Sequence, residues 1–452
     1  MRLLQAVRPV LARRGVVRRQ LLGQPVVRSP VVLQKRYNSG EEYKEEFKEE
    51  YREPADWKKA IEANRFGLWI ELPQYLEFSG QNVRRNNFPN IWLRDNCRCT
   101  ECVNQDTKQR NFDTFKISPD IHIVQVKADY THVWLEWSDG HKSVYRWDFL
   151  RHYMYYDQRG EKPMREYWGD EIQMRPPEVD YDFVMEEEDN DRGVAFLTDK
   201  IFTYGFCFVQ NVPFKDPDDT RKLLERIAFI RQTHYGGFYD FKPDLAMADT
   251  AYTNQALPPH TDTTYFTDPA GLQAFHMLSH KPGPDGEPPY GGASVLVDGF
   301  KAARVLHHED REAYNVLRKV RLPWHASGNK GITIRPDINY PVFETHPTLG
   351  LYRIRWNNDD RGVVPFDKVR PEVWYKAAAK WNEIINRPLL QYWFQLSPGT
   401  VVIFDNWRVL HGRNAFKGIR RICGAYINRD DWISRWGNLN LSERENLYRV
   451  IG

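Results

Sequence analysis

The stretch LPPHTDTTYFTDPAG, residues 257–271, sets His260 and Asp262 one residue apart. On an extended segment, side chains two positions apart point to the same face, so both can reach one metal ion. The best candidate for a third ligand is His411, in FDNWRVLHGRNAF, which follows the apolar run TVVIF. Two imidazoles and a carboxylate on one face of a metal leave three positions open, as a non-haem Fe(II) oxygenase needs to hold a co-substrate and oxygen together. By spacing alone, His-x-Asp also describes a hydrogen-bonded loop histidine. The basic pair that follows His411 adds weight to the metal: Arg420 or Arg421 can return alongside the ion and grip the far carboxylate of a 2-oxo acid in bidentate fashion. One of the two must face inward and the other outward, and the sequence does not decide which.

A second cluster sits in WLRDNCRCTEC, where Cys97, Cys99 and Cys102 fall within six residues. Thiolates at C-x-C-x-x-C need a fourth donor to close a tetrahedral zinc site, and His141, just past an Asp-Gly pair, is the natural one. The alternative is a set of free thiols with His141 on the surface. A closed site has no open position, so its role would be structural. The five cysteines, odd in number with three clustered, argue against a disulfide framework and suit a reducing compartment.

The elements that must position these groups are mainly strands. HVWLEWSDGHKSVYRW alternates apolar and polar residues around Asp139-Gly140, which marks a hairpin. GLQAFHMLSH, ASVLVDGF, GTVVIFDNW and RICGAYINR read as strands bounded by Gly or Pro, whereas DTRKLLERIAFI and PEVWYKAAAKWNEIINR have helical periodicity. No regular strand–helix alternation supports a doubly wound parallel sheet. The expected organisation is a presequence at 1–37, a charged lead-in at 38–68, a small β-rich zinc-binding domain at 69–165 and a mainly β catalytic domain with helices at 180–452.

The formal net charge of +3 becomes about −6 once the eight arginines and one lysine of residues 1–37 are set aside, so the basic balance belongs to the N-terminus. Arginines spread among Leu and Val, with no acidic residue and no long apolar run, suit a mitochondrial presequence cleaved near Asn38, although a basic tail or nucleic-acid arm would share that composition. The mildly acidic remainder gives no sign of nucleic-acid binding, and no stretch approaches the roughly 18 apolar residues of a membrane span.

HTDTTYF, DTAYT, GLQAFH, VDGF, RWNN, FDNWRVLHGR and GAY, in that setting, resemble the gamma-butyrobetaine/trimethyllysine dioxygenase family, from about Trp69 to the C-terminus. HTDTTYF with DTAYT points to the trimethyllysine branch. The resemblance implies a double-stranded β-helix (jelly-roll) domain holding Fe(II) through His260, Asp262 and His411, with 2-oxoglutarate as co-substrate on Arg420, or failing that Arg413. DNCxCxxC with a later His matches the family's structural zinc site. The resemblance also implies ascorbate as reductant, a homodimer, and C3 hydroxylation of N6,N6,N6-trimethyllysine with O2, the first step of carnitine synthesis; the presequence and the cysteines make the mitochondrial matrix the expected compartment.

A trimethylammonium group donates no hydrogen bond, and aromatic faces are the general means of holding it. Tyr235, Tyr239, Tyr252 and Tyr426 match the family's cage, with Tyr239 in place of the usual tryptophan. Asp249 stands where butyrobetaine hydroxylases have a neutral residue and would pair with an α-ammonium; Asn357 matches a position for the substrate's polar end. The rival readings are gamma-butyrobetaine hydroxylation and, more remotely, a non-catalytic module that binds methylated lysine.

Overall fold

A computed structural model describes residues 61–450 apart from 65–66, 77–79, 160–164, 187–190, 242–253, 284–285, 287, 348–349 and 367–369. The segment 1–37, the lead-in up to residue 60, Asp249 and Tyr252 lie outside the described residues.

The first sheet already begins at Ile61, inside the segment read as lead-in: Ile61–Asn64, Gly67–Leu76 and Gly80–Pro89 form an antiparallel meander. Leu68, fully buried, anchors it, so an apolar residue at the end of a charged run belongs to the core. A second meander follows, Ile123–Ala128, His132–Trp137 and Lys142–Arg146. Its alternation is what the sequence shows: Val133, Leu135, Trp137 and Tyr145 point into a core shared with Leu68, Ile70 and Phe88. Gly140, at φ +82°, lets the expected hairpin close, with its amide donating to the Trp137 carbonyl at 2.9 Å. The C-terminal helix Glu443–Val450 leans on this part, Tyr448 stacking on His152 and Arg444 meeting Asp148 at 2.9 Å.

The rest is a jelly-roll-type sandwich of two sheets. The larger has the order Glu178–Asp180, Phe206–Gln210, Val401–Asp405, Leu272–Lys281, Ile419–Ile427 and Tyr239–Phe241, antiparallel except for its first pair. The smaller runs Leu257–His260, Val409–Arg413, Ser294–Asp298 and Tyr392–Phe394, all antiparallel. Phe206, Phe208, Met277, Val402, Phe404 and Ile422 of the larger sheet meet Leu296, Tyr392 and Val409 of the smaller. Residues of opposite parity, such as Cys207, Ile403 and Ala425, pack on helices Arg192–Tyr204, Asp218–Ile227 and Arg429–Asn440. Burial on both faces is why TVVIF is continuously apolar rather than alternating.

Helices Gly299–Glu309, Arg311–Lys319 and Pro371–Ile385 cover the outer face of the smaller sheet. Of these only Pro371–Ile385 matches a helix expected from periodicity; Arg192–Tyr204 and Arg429–Asn440 are likewise additional to the expected helices. Among the described residues, no helix is long and apolar enough to cross a membrane.

The VDGF and DNWR motifs meet at one point. Asp298 caps helix Gly299–Glu309 by accepting from the amides of Phe300 and Lys301, and holds the Arg408 guanidinium at 2.8 Å. Arg408 also donates to the carbonyls of Thr203 and Glu166. Both side chains are buried, so removing one leaves an uncompensated charge. Arg408→Ala is expected to cost about 3–5 kcal/mol in urea denaturation; a loss below 1 kcal/mol would show that this pair does not brace the two sheets.

Candidate active site

His260 closes its strand and pairs in register with His411, their rings 4.3 Å apart. Asp262 follows on the outgoing loop, its Oδ1 3.2 Å from His260 Nε2 and its Oδ2 3.8 Å from His411 Nε2. One ligand atom from each lies within 4.8 Å of the others. His260 Nδ1 is 2.8 Å from the Pro258 carbonyl, which can only accept, so Nδ1 carries the hydrogen and Nε2 is left for an ion.

Protonation suits ligation. Burial works to raise the Asp262 pKa, but its contacts with His260 and then His411 hold it well below the carboxylate range. Burial, then His260, pushes His411 down to about 3, so it is neutral. For His260, burial acts downward but is outweighed by Asp262, and the net shift is upward. An anionic carboxylate between imidazoles is the donor set of a divalent, oxygen-reactive metal.

Three clamps hold this loop. The Thr261 amide donates to the Trp356 carbonyl at 2.8 Å, and the Trp356 amide returns a bond to Thr261 Oγ1 at 3.0 Å. Arg355, fully buried, donates to the carbonyls of Thr264, Phe266 and Thr267 and pairs with Glu344. Asn406 accepts from the Asp262 amide and donates to the Asp262 and Ala270 carbonyls. The turn they stabilise is strained: Thr263, β-branched, sits at φ +57°, a conformation that costs about 1–3 kcal/mol.

The arginine question is decided by the sheet. Arg421 turns outward to Asp240, whereas Arg420 is 4% exposed and shares the inner parity of Ile422 and Tyr426. Arg413, two residues past His411 and therefore on the same face, lies beside it, and both guanidinia pack on Phe416. Burial pulls Arg413 and Arg420 down to about 10, with Arg413 adding repulsion at Arg420. Gly292 makes room, since a Cβ there would stand 2.7 Å from Arg420 Nη1. Two buried, mutually repelling guanidinia, with Arg413 about 7 Å along the strand from His411, have the charge and the paired donors that a carboxylate takes.

Aromatic walls flank the triad. The Tyr426 hydroxyl donates to Asp262 Oδ2 at 3.0 Å, and its ring meets Tyr239 edge-on at 6.0 Å. Tyr239 lies across Gly424, where a Cβ would strike the Ala274 carbonyl and, at 2.9 Å, the Tyr239 ring, and donates to that carbonyl at 2.7 Å. Tyr235 packs against His234, their rings 3.9 Å apart. Asn357, beside Trp356, accepts from the Asp359 amide.

Far from this site in sequence, Cys97, Cys99 and Cys102 converge on His141, their sulfurs 3.3, 3.6 and 3.4 Å from its Nε2. Arg94 reaches Cys102 and Asp139, and Asp139 accepts from the His141 amide, so the hairpin is tied to the thiol loop. Burial pushes the Cys102 thiol up to about 12 and also raises Cys97; at Cys99, hydrogen bonds led by the Cys102 amide outweigh burial and lower it. Three thiols this close, two of them buried, with one imidazole, match the donors of a closed tetrahedral zinc site.

The family model described as "Taurine catabolism dioxygenase TauD, TfdA family" matches residues 161–426, and "Gamma-butyrobetaine hydroxylase-like, N-terminal" matches 74–151. The trimethyllysine dioxygenase of Neurospora crassa is 53% identical over 99% of each chain. The mitochondrial trimethyllysine dioxygenase of Homo sapiens is 39% identical, over 83% of this chain and 88% of its own. Gamma-butyrobetaine dioxygenase of Homo sapiens is 27% identical, over 77% of this chain and 90% of its own.

Arg355, Asn406, Gln273 and Gly424 escaped the sequence reading although each lies in a quoted motif; none is a residue type that ligates or reacts, and their partners are distant in sequence. Asn406→Ala would strand three buried backbone groups at about 1–3 kcal/mol each. A stability loss of about 3 kcal/mol together with weaker binding of a divalent ion is expected; full metal affinity in a Co(II) titration would show that the ligand loop holds itself.

Proposed function

Since the chain belongs to the TauD, TfdA dioxygenase family and, within it, to the trimethyllysine dioxygenases, we propose that it hydroxylates free N6,N6,N6-trimethyllysine at C3. The reaction consumes 2-oxoglutarate and O2: one oxygen atom enters the C3–H bond, the other the carboxylate of succinate, and CO2 leaves. The observation that carries this reading is the convergence of His260, Asp262 and His411 within 4.8 Å, with Tyr239 and Tyr426 beside them.

Fe(II) bound by that triad would supply the oxygen activation. The protein's part is placement. Arg420 holds the far carboxylate of 2-oxoglutarate, with Arg413 sharing the anion. Tyr239 and Tyr426, with Tyr235 and Tyr252, give aromatic faces to the trimethylammonium, each contact contributing about 0.5–2 kcal/mol. Held at that end, and by Asn357 and Asp249 at the other, the substrate can present only a short stretch of its chain to the metal. Asp249 pairs with the α-ammonium and repels the lone carboxylate of gamma-butyrobetaine, which disfavours the rival substrate.

Cys97, Cys99, Cys102 and His141 would hold a structural zinc. The Arg-rich segment 1–37 and the mitochondrial names of mammalian relatives support a matrix location. A homodimer, ascorbate as reductant and a place at the start of carnitine synthesis complete the reading.

Protein reconstituted anaerobically with Fe(II) and then given O2, 2-oxoglutarate and either trimethyllysine or gamma-butyrobetaine should yield hydroxylated trimethyllysine with matching succinate by mass spectrometry. Turnover of butyrobetaine alone would overturn the substrate assignment, and binding without turnover would make the cleft a methyl-lysine module. Arg420→Met is expected to raise KM for 2-oxoglutarate about 10–100-fold, the worth of a charged hydrogen bond, while Arg421→Met leaves it near wild type. Metal analysis should find zinc that is lost in Cys102→Ala; purified active protein free of zinc would remove the structural assignment.

A further inference from the structure

The two oxygens of Asp262 have different surroundings. Oδ1 lies 3.2 Å from His260 Nε2, and Oδ2 3.8 Å from His411 Nε2. Oδ2 takes two hydrogen bonds, from Gln273 Nε2 at 2.6 Å and from the Tyr426 hydroxyl at 3.0 Å. The donors are register partners on adjacent strands, so the sheet itself sets them side by side.

Gln273 is 1% exposed, and its Oε1 makes no hydrogen bond among the described residues. A buried amide oxygen without a partner costs about 1–3 kcal/mol. Its other end is within short reach of a carboxylate that can only accept, so the amide is oriented by Asp262. Tyr426 serves two sites with one side chain: its hydroxyl holds Asp262 while its ring, with Tyr239, walls the cleft.

We propose that Gln273 and Tyr426 are positioning residues that clamp Oδ2, so that Asp262 offers Oδ1 alone to the metal, and that Tyr426 mechanically joins the ammonium site to that ligand. The inference rests on the function proposed above. A carboxylate free to turn and bind through both oxygens would take one of three open positions; a chelating 2-oxo acid would fill the other two and leave none for O2. The clamp therefore protects the oxygen site, and the tyrosine ties its integrity to the cleft where substrate sits.

Tyr426→Phe keeps the ring and removes the O–H; Gln273→Met keeps length and removes the donor. In Co(II) titrations of the anaerobic full chain each variant is expected to lose about 10–100-fold in affinity, as lost partners of metal ligands do. The visible absorption of the Fe(II)–2-oxoglutarate complex should shift, and succinate should form in excess of hydroxylated product. For Tyr426→Phe, KM for trimethyllysine should change far less than kcat, because the ring remains. Wild-type affinity, absorption and one-to-one coupling in a folded Tyr426→Phe protein would overturn the proposal, whether or not Gln273→Met folds. Wild-type protein that binds Co(II) and 2-oxoglutarate but turns over no trimethyllysine would instead sink the function, while the affinity and absorption of the variants still judge the clamp.

Discussion

Everything near the triad depends on one constraint: a short loop, bent through a strained threonine, must hold Asp262 facing a histidine that arrives on another strand. Left to itself that loop would relax, because Thr263 at φ +57° is unfavourable. It is over-determined instead. Arg355 takes three of its carbonyls, Asn406 takes both backbone groups of Asp262, and Thr261 exchanges two hydrogen bonds with Trp356. Buried donors of this kind stabilise one conformation strongly, since any other leaves them unsatisfied.

The sandwich gives those clamps a rigid origin. Asn406 leaves the end of strand Val401–Asp405, whose two faces pack on the opposing sheet and on helices. The Arg408–Asp298 pair ties that same turn to the smaller sheet and to the start of a covering helix. Charge is handled consistently: inside the protein the anionic Asp262 is met by imidazoles and neutral donors, whereas Arg413 and Arg420 are buried side by side and repel each other. Buried groups with perturbed protonation of this kind mark functional sites.

The N-terminal part solves a different problem. Its sheets are small, and the cysteine loop gains order from a hairpin that returns His141 to the thiols, with Arg94 and Asp139 bracing the approach. Four soft and borderline donors close on one point there, in contrast to the open, oxygen-and-nitrogen triad of the sandwich.

By itself the sequence determined the ligand types and much of the local structure. His-x-Asp, the cysteine spacing, the Asp-Gly hairpin and the apolar strands are legible because each depends on residues close together in the chain. Tertiary structure decided what depends on distant pairs: that Arg420 faces inward and Arg421 outward, that Arg413 joins Arg420, and that Gly424 lies tight against both the Ala274 carbonyl and the Tyr239 ring. It also decided the helices the periodicity left unmarked and the role of Gln273, Arg355 and Asn406. Such residues carry no reactive group, and their function is a hydrogen bond to a backbone or carboxylate dozens of positions away or more; Gln273, eleven residues from Asp262, still needs the fold to bring it there. Registry between strands, not residue type, makes those contacts, and registry is a property of the folded sheet.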